Sequence, residues 1–243
     1  MDPIKPDENH PAPLFDSIFN DDDNEEQQLH KQKHVYFMKR ALDAALRALK
    51  VGEVPVGCVF VRNNQVIAEG HNNTNKTKNA TRHAEIEALD KLLYDRSIQP
   101  FEHSTIREQP INKDFEDVDV YVTLEPCIMC AAALRKMGFR RVFFGAYNDK
   151  FGGAGTVLSI LQDENLPDNI VNCIGGLCLH ECIGILHNFY ERGNSNAPES
   201  KRKRPISFGG LVLKGQFVDD YDFDENTLQS LKQETDPVEH IFF

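Results

Sequence analysis

From His34 to Lys50 the apolar residues Val35, Met38, Leu42, Ala45, Leu46 and Leu49 recur every three or four positions. That spacing lines one face of an α-helix and predicts an amphipathic helix over 34–50, ended by Gly52. Two apolar runs follow, VPVGCVFV (54–61) and QVIAEG (65–70), with the polar turn Arg62–Asn64 between them. They predict two strands joined in a hairpin. The polar segment 71–82 has no apolar repeat and is expected to be a loop. A helix is expected from His83 to Tyr94, where Ile86, Leu89 and Leu93 make one flank apolar. VDVYVTL (118–124) and RVFFGA (141–146) read as strands. Between them Pro126 is suited to open a helix, because its missing amide proton is not needed there, and Gly138 to cap it. A weaker strand near 170–174 and a helix near 177–192 complete the body. This succession predicts an α/β fold in three layers, a mixed sheet of about five strands with helices on both faces.

The chain of 243 residues suits one domain with tails. Its net charge of −11 speaks against a nucleic-acid partner until it is divided along the chain. Residues 1–33 carry nine acids against three bases, 206–243 carry eight against two, and 34–205 carry twenty-one against twenty-two. The body is therefore near neutral. Residues 1–33 are expected to be an acidic disordered tail, 34–194 the folded domain, and 195–243 a basic, then acidic, extension. The charged stretch 95–117, with Pro100 and Pro110, reads as an inserted surface loop. The opening MDPIKPDENH has neither a basic nor an apolar leader region, and no run reaches the roughly 18 apolar residues of a membrane span. Cytoplasm and nucleus, without membrane attachment, are the expected location, and in such a reducing compartment closely spaced cysteines point to metal.

Cys127 and Cys130 stand three apart on the opening turn of the helix after 118–124, a spacing that turns both sulfurs to one side. Thiolate pairs select zinc over magnesium or calcium. His83, at the start of another helix, supplies a third ligand, and three protein ligands leave one tetrahedral position for water, as catalytic zinc sites do. Glu85 is the candidate proton carrier. It lies two residues from His83, about 200° around an ideal helix, so regular helical spacing does not put both on one face. Its case is chemical: two thiolates neutralise the ion, which then acidifies its water less, and a neighbouring base becomes necessary. H-x-E followed by P-C-x-x-C is the recognised signature of zinc deaminases that act on nucleobases. Cys173, Cys178 and Cys182 read instead as buried small hydrophobes.

The stretches NATRHAEIEALD (79–90), VYVTLEPCIMCAAAL (120–134) and FGGAGTVLSI (151–160) resemble the catalytic subunit of the eukaryotic heterodimeric tRNA adenosine deaminases. VPVGC (54–58), NFYERGNSNAP (188–198) and KRKRP (201–205) extend the resemblance in order. It implies a cytidine-deaminase-like fold, one zinc ion, and conversion of the wobble adenosine of tRNA to inosine. It also implies a homologous partner subunit that lacks the proton-carrying glutamate. By position, Asn72 would hydrogen-bond the flipped base, Val54 and Leu124 would flank its rings, and Lys201, Arg202, Lys203 and Arg204 would engage tRNA. For Val54 and Leu124 plain strand packing is the competing reading, for Asn72 a turn role, and for 201–204 a nuclear-localisation patch or a solvated charge run. Two other functions would use the same metal site: deamination of a free base or nucleotide (cytosine, guanine or deoxycytidylate), and a non-catalytic, zinc-stabilised subunit. Glu85 argues against the second, and Glu125, the FGGAG loop and the basic segment favour tRNA over the first.

Overall fold

The computed structural model describes residues 12, 14–19, 24–94 and 115–191. Helix α1 spans Glu25–Lys50. It is followed by strands β1 (Gly57–Arg62) and β2 (Gln65–His71), a single helical turn α2 (Thr74–Thr77) and helix α3 (Ala84–Tyr94). Strand β3 (Val118–Leu124), helix α4 (Ile128–Met137), strands β4 (Arg141–Ala146) and β5 (Asn172–Ile174) and helix α5 (Leu179–Glu191) complete the body. The sheet has five strands in the order β2-β1-β3-β4-β5. β1 runs antiparallel to both β2 and β3, while β3, β4 and β5 run parallel. The expected mixed sheet is therefore present. Asn63 and Asn64 both take positive φ, 51° and 59°, the backbone that a two-residue hairpin turn requires and asparagine tolerates.

Why the strands are apolar on both faces follows from the side-chain period of two. Cys58, Phe60, Val120, Val122, Val142 and Phe144 point toward α3 and α4, joining Ala84, Ala88, Ala131 and Leu134. Their neighbours Val59, Val61, Tyr121 and Phe143 point the other way, onto α1 and α5, joining Phe37, Met38, Ala41 and Ile185. With helices on both sides, neither face meets water, and polar alternation gives way to continuous apolar runs. No described helix is long and apolar enough to cross a membrane.

Three sequence expectations change. Residues 25–33, expected in a disordered tail, are the first turns of α1, and the nearby Phe15 and Phe19 are buried in the core. The helix starts at a capping box, in which the Asn24 side chain accepts from the Gln27 amide at 2.9 Å and the Gln27 side chain accepts from the Asn24 amide at 3.0 Å. Glu25 and Glu26 then sit in the first turn, where the helix dipole favours negative charge. Two of the acids that resemble a solvated tail, Glu25 and Glu26, thus belong to a helix N-terminus, and the apolar repeat is hidden because buried positions hold His30, Lys33 and His34. Residues 115–117, assigned to the 95–117 insertion, belong to the body, since Phe115 is buried and stacks on Phe139 at 5.0 Å. The loop 71–82 contains the turn α2. Residues 1–11, 13 and 20–23 of the tail, 95–114 of the insertion and the extension 195–243 lie outside the described residues.

One buried charge cluster ties β3 to β4. Asp119 accepts from Nε and Nη2 of Arg141 at 3.0 and 2.7 Å, and from the same atoms of Arg140 at 2.9 and 2.5 Å. Burial alone would raise its carboxyl, but Arg141 and then Arg140 outweigh that and hold it at about 2, against an ordinary 3.8. Between those values the unfolded chain binds a proton that the folded one refuses, so this stabilisation, about 2 kcal/mol, is present above the ordinary value and is lost as pH falls toward 2. Asp119→Asn is expected to lower stability at neutral pH by roughly 3–5 kcal/mol, because it removes the buried carboxylate on which both guanidinium groups converge. The difference between the denaturation midpoints of the two proteins should shrink as pH drops below about 4. A constant difference down to pH 2 would contradict the assignment.

Candidate metal centre and active site

The two helices on one face of the sheet, α3 and α4, bring their N-terminal ends together. α4 follows β3 through Glu125 and Pro126, and its N-cap is Cys127, whose backbone is extended at φ −67° and ψ 165°. Cys130 then occupies the third helical position, one turn on, and is buried. Pro126 stands one residue outside the cap rather than opening the helix. His83 likewise lies just before α3, its carbonyl accepting the Glu87 amide at 2.9 Å. The helical objection to His83 and Glu85 sharing a site therefore disappears. Only Glu85 is on the helix, and the cap residue before it turns independently.

The His83 ring nitrogen Nδ1 lies 3.5 Å from Sγ of Cys127 and 3.6 Å from Sγ of Cys130. Bonds of about 2.3 Å to sulfur and about 2.0 Å to nitrogen place two such atoms of a tetrahedral zinc ion about 3.5 Å apart. The trio thus fits zinc in donor chemistry and in spacing. Among the described residues it is the one group of three histidine, cysteine or acidic donors within reach of a common ion. Cys173 and Cys182 are buried, and Cys178 is half-buried, away from it.

Electrostatics within the trio are strongly coupled. The Cys127 thiol is drawn down to about 4, first by a hydrogen bond from Cys130 and, against its burial, by His83 as well. Cys130 is pushed upward, chiefly because it is the donor in that bond, and His83 is raised by its bond to Cys127. The metal-free trio accordingly keeps protons that a divalent ion must displace, so binding releases protons. Glu85 is 4% exposed, and its carboxyl is raised to about 7, mainly by burial and further by the Cys127 sulfur, with His83 and a bond to Cys130 opposing. A carboxyl poised near neutrality, beside the sulfurs, holds or releases a proton at working pH.

Asn72 is 7% exposed, and its Oδ1 accepts from the Ala84 amide at 3.0 Å. That satisfies a backbone donor left open at the start of α3 and commits the oxygen, so Nδ2 is what Asn72 has for a ligand. β2, which leads to Asn72, approaches α3 so closely that a Cβ on Gly70 would stand 2.2 Å from the Ala84 carbonyl oxygen. Val54 and Leu124 are partly exposed and pack on the core, Val54 from the segment before β1 and Leu124 from the end of β3. Lys201, Arg202, Lys203 and Arg204 lie outside the described residues.

Two residues to which sequence reasoning gave no structural role at the site, Glu53 and Glu125, support it. Glu53, 1% exposed, accepts from the Thr74 hydroxyl and the Asn75 amide at 3.1 Å each, the Asn75 side chain at 3.0 Å and the Lys76 amide at 2.9 Å. It joins the segment bearing Val54 to the loop between Asn72 and His83. Glu125, equally buried, does the same for the loop after β4. The signal for both was available: each is a lone acid inside an apolar run, GEVPVGCVF and VTLEPC. Such an acid needs several donors to be buried.

Residues 31–146 match the family described as the cytidine and deoxycytidylate deaminase zinc-binding region. The chain is 44% identical over 170 residues to the tRNA-specific adenosine deaminase 2 of Danio rerio, covering 69% of this chain and 75% of that one. It is 38% identical over 178 residues to the tRNA-specific adenosine deaminase subunit tad2 of Schizosaccharomyces pombe, covering 72% of this chain and 42% of that one. A solved structure from studies of A-to-I editing by tRNA:A34 deaminases at the wobble position of transfer RNA aligns with a TM-score of 0.49 and 33% identity, over 61% of this chain and 97% of that one. The matched region holds all three metal donors and Glu85, and with the likeness to the Danio rerio protein it means that this chain belongs to the zinc-binding cytidine and deoxycytidylate deaminase family, its near relatives there being the tRNA-specific adenosine deaminases.

Proposed function

We propose that this chain is the catalytic subunit of a tRNA-specific adenosine deaminase, which replaces the exocyclic amine of the wobble adenosine by oxygen to leave inosine and ammonia. The observation that carries the reading is Glu85, a buried carboxyl near neutrality beside the three metal donors, in a chain 44% identical to a tRNA-specific adenosine deaminase. His83 through Nδ1 and Cys127 and Cys130 through sulfur would hold zinc. Zinc, when bound, supplies a Lewis acid that makes a water nucleophilic. Glu85 would accept one proton from the attacking water and pass it to a ring nitrogen of the base, then take the remaining proton from the hydroxyl added to the ring carbon and give it to the departing amine, which leaves as ammonia while the carbonyl of inosine forms. Asn72 Nδ2, the free half of its amide, donates to an acceptor on the base, and Val54 and Leu124 pack against its faces. The thiolates and the imidazole hold the ion without competing for the transferred proton.

The reading includes a homologous partner subunit lacking the glutamate, and substrates met in the cytoplasm and nucleus. Its test is inosine formation in a tRNA transcript with adenosine at the wobble position, using the chain alone and with the candidate partner. Inosine that appears only with both chains supports the heterodimer. Absence in both, with zinc bound and the proteins folded, would redirect the search to free bases and nucleotides, cytosine first. The basic segment is tested separately. Replacing Lys201, Arg202, Lys203 and Arg204 by alanine is expected to weaken tRNA binding about tenfold or more at low salt and to flatten its salt dependence, since fewer phosphate counterions are released. Affinity and salt slope both unchanged would remove tRNA contact from the role of 201–204.

A further inference from the structure

Glu125 precedes Cys127 by two residues, yet its carboxyl reaches into the connection between β4 and β5. Oε1 accepts from the amides of Ala154 at 3.0 Å and Thr156 at 3.1 Å, and Oε2 accepts from the Asn148 amide at 2.9 Å and from the Thr156 hydroxyl. Donors from one short stretch, 148–156, thus converge on one buried carboxyl. The same stretch is bonded to the turn that carries the sulfurs. The Gly153 amide donates to the Pro126 carbonyl at 2.8 Å, the Ile128 amide donates to the Phe151 carbonyl at 2.9 Å, and Cys127 and Gly152 form an isolated antiparallel bridge. Gly152 sits so close to the carboxyl that a Cβ there would be 2.5 Å from both of its oxygens.

These bonds fix the backbone on either side of Cys127. Its extended cap conformation is set by the bridge to Gly152, and the first helical amide, at Ile128, is taken by Phe151. Where the Cys127 sulfur stands therefore depends on where residues 151–153 stand, and those are held by Glu125. Resting on the reading that His83, Cys127 and Cys130 hold zinc, we propose that Glu125 is a positioning residue of the metal centre. It seats the 148–156 stretch on the turn 126–130 and so sets the approach of both sulfurs. Arg135 shows the contrasting, purely architectural version of such a clamp. Its guanidinium donates to the carbonyls of Ile160, Leu161, Leu166 and Asp168, seating the distal part of the same connection on the far end of α4.

The test uses the full-length chain loaded with cobalt(II), whose thiolate charge-transfer and ligand-field bands report sulfur geometry, and, separately, the rate of zinc release to a chelator. Glu125→Gln keeps the shape but offers an amide to backbone donors that need acceptors. It is expected to shift the cobalt bands and to speed zinc release about tenfold or more. Asp119→Asn, destabilised at the opposite end of β3, should keep the unmodified spectrum and release rate. Thr156→Val removes the one side-chain donor, and it should move both readings the same way by a smaller amount. It decides the matter if Glu125→Gln does not fold. A spectrum and release rate equal to the unmodified chain's, with only the melting temperature lowered, would overturn the proposal. That result is distinct from failure of the metal reading, in which the unmodified chain itself would show no cobalt–thiolate absorption.

Discussion

Glu85→Gln is expected to bind zinc as the unmodified chain does and to lose roughly 10²–10⁴-fold in kcat on a wobble-adenosine tRNA, the usual worth of a positioned general acid–base. The substitution preserves size at a site only 4% exposed and replaces none of the three metal donors. What it removes is the one group near the donors whose carboxyl titrates around neutrality. Stability should move in the opposite direction from activity. Burial is the main cause of the raised carboxyl, so the folded state is strained by the charged form, and a neutral amide relieves that strain. A melting temperature equal to or above that of the unmodified protein, together with full zinc content and lost turnover, is the predicted combination. Zinc content is read by elemental analysis and turnover by inosine formation. Retained turnover would exclude Glu85 as the proton carrier, whatever the stability.

Cys127→Ala should behave in the opposite way, losing the metal, the turnover and part of the stability together. Cys127 is both the N-cap of α4 and a candidate ligand, and its thiol is drawn down by the bond from Cys130 and by His83, which favours the thiolate that a metal binds. Without it, His83 and Cys130 retain two of the three donors, too few for tight binding at a site whose free energy contributes to folding. The melting temperature is expected to fall by an amount that chelation of the unmodified chain reproduces, since binding to the native state alone stabilises by mass action. A chelator should leave the variant unchanged. If the variant melts like the unmodified chain and still binds zinc stoichiometrically, the ligand assignment fails.

The five strands and the long helices were readable because each is a local repeat: VDVYVTL and RVFFGA are continuous apolar runs, and two covered sheet faces leave such runs no polar positions. The three candidate metal donors and Glu85 were readable for a similar reason, because H-x-E and P-C-x-x-C are each compact and each straddles the start of a helix. Where the reading failed, a polar residue had a distant partner. His34 is buried in α1 because Tyr121, 87 residues away, bonds its ring at 2.8 Å, and nothing near His34 in the sequence announces that. Residues 25–33 were misread because two of their buried positions hold His30 and Lys33, bonded to each other at 3.2 Å, and so break the apolar repeat. The bond from the Ala84 amide to the Asn72 oxygen is likewise a long-range feature that the sequence does not announce, and it leaves the side-chain NH2 of Asn72 for a ligand.

Sequence alone therefore determined the layered α/β architecture and the candidate metal donors His83, Cys127 and Cys130, and it singled out Glu85 beside them, all of which depend on residue type and short spacing. The tertiary structure decided that His83 lies outside its helix and faces the sulfurs, that Glu85 is buried enough to titrate near neutrality, and that Glu53 and Glu125 clamp the two loops beside the site. The physical reason is one of range. Apolar periodicity follows from the geometry of a single element, whereas burying a charge requires donors brought in by other elements, and these are assembled only when the chain has folded.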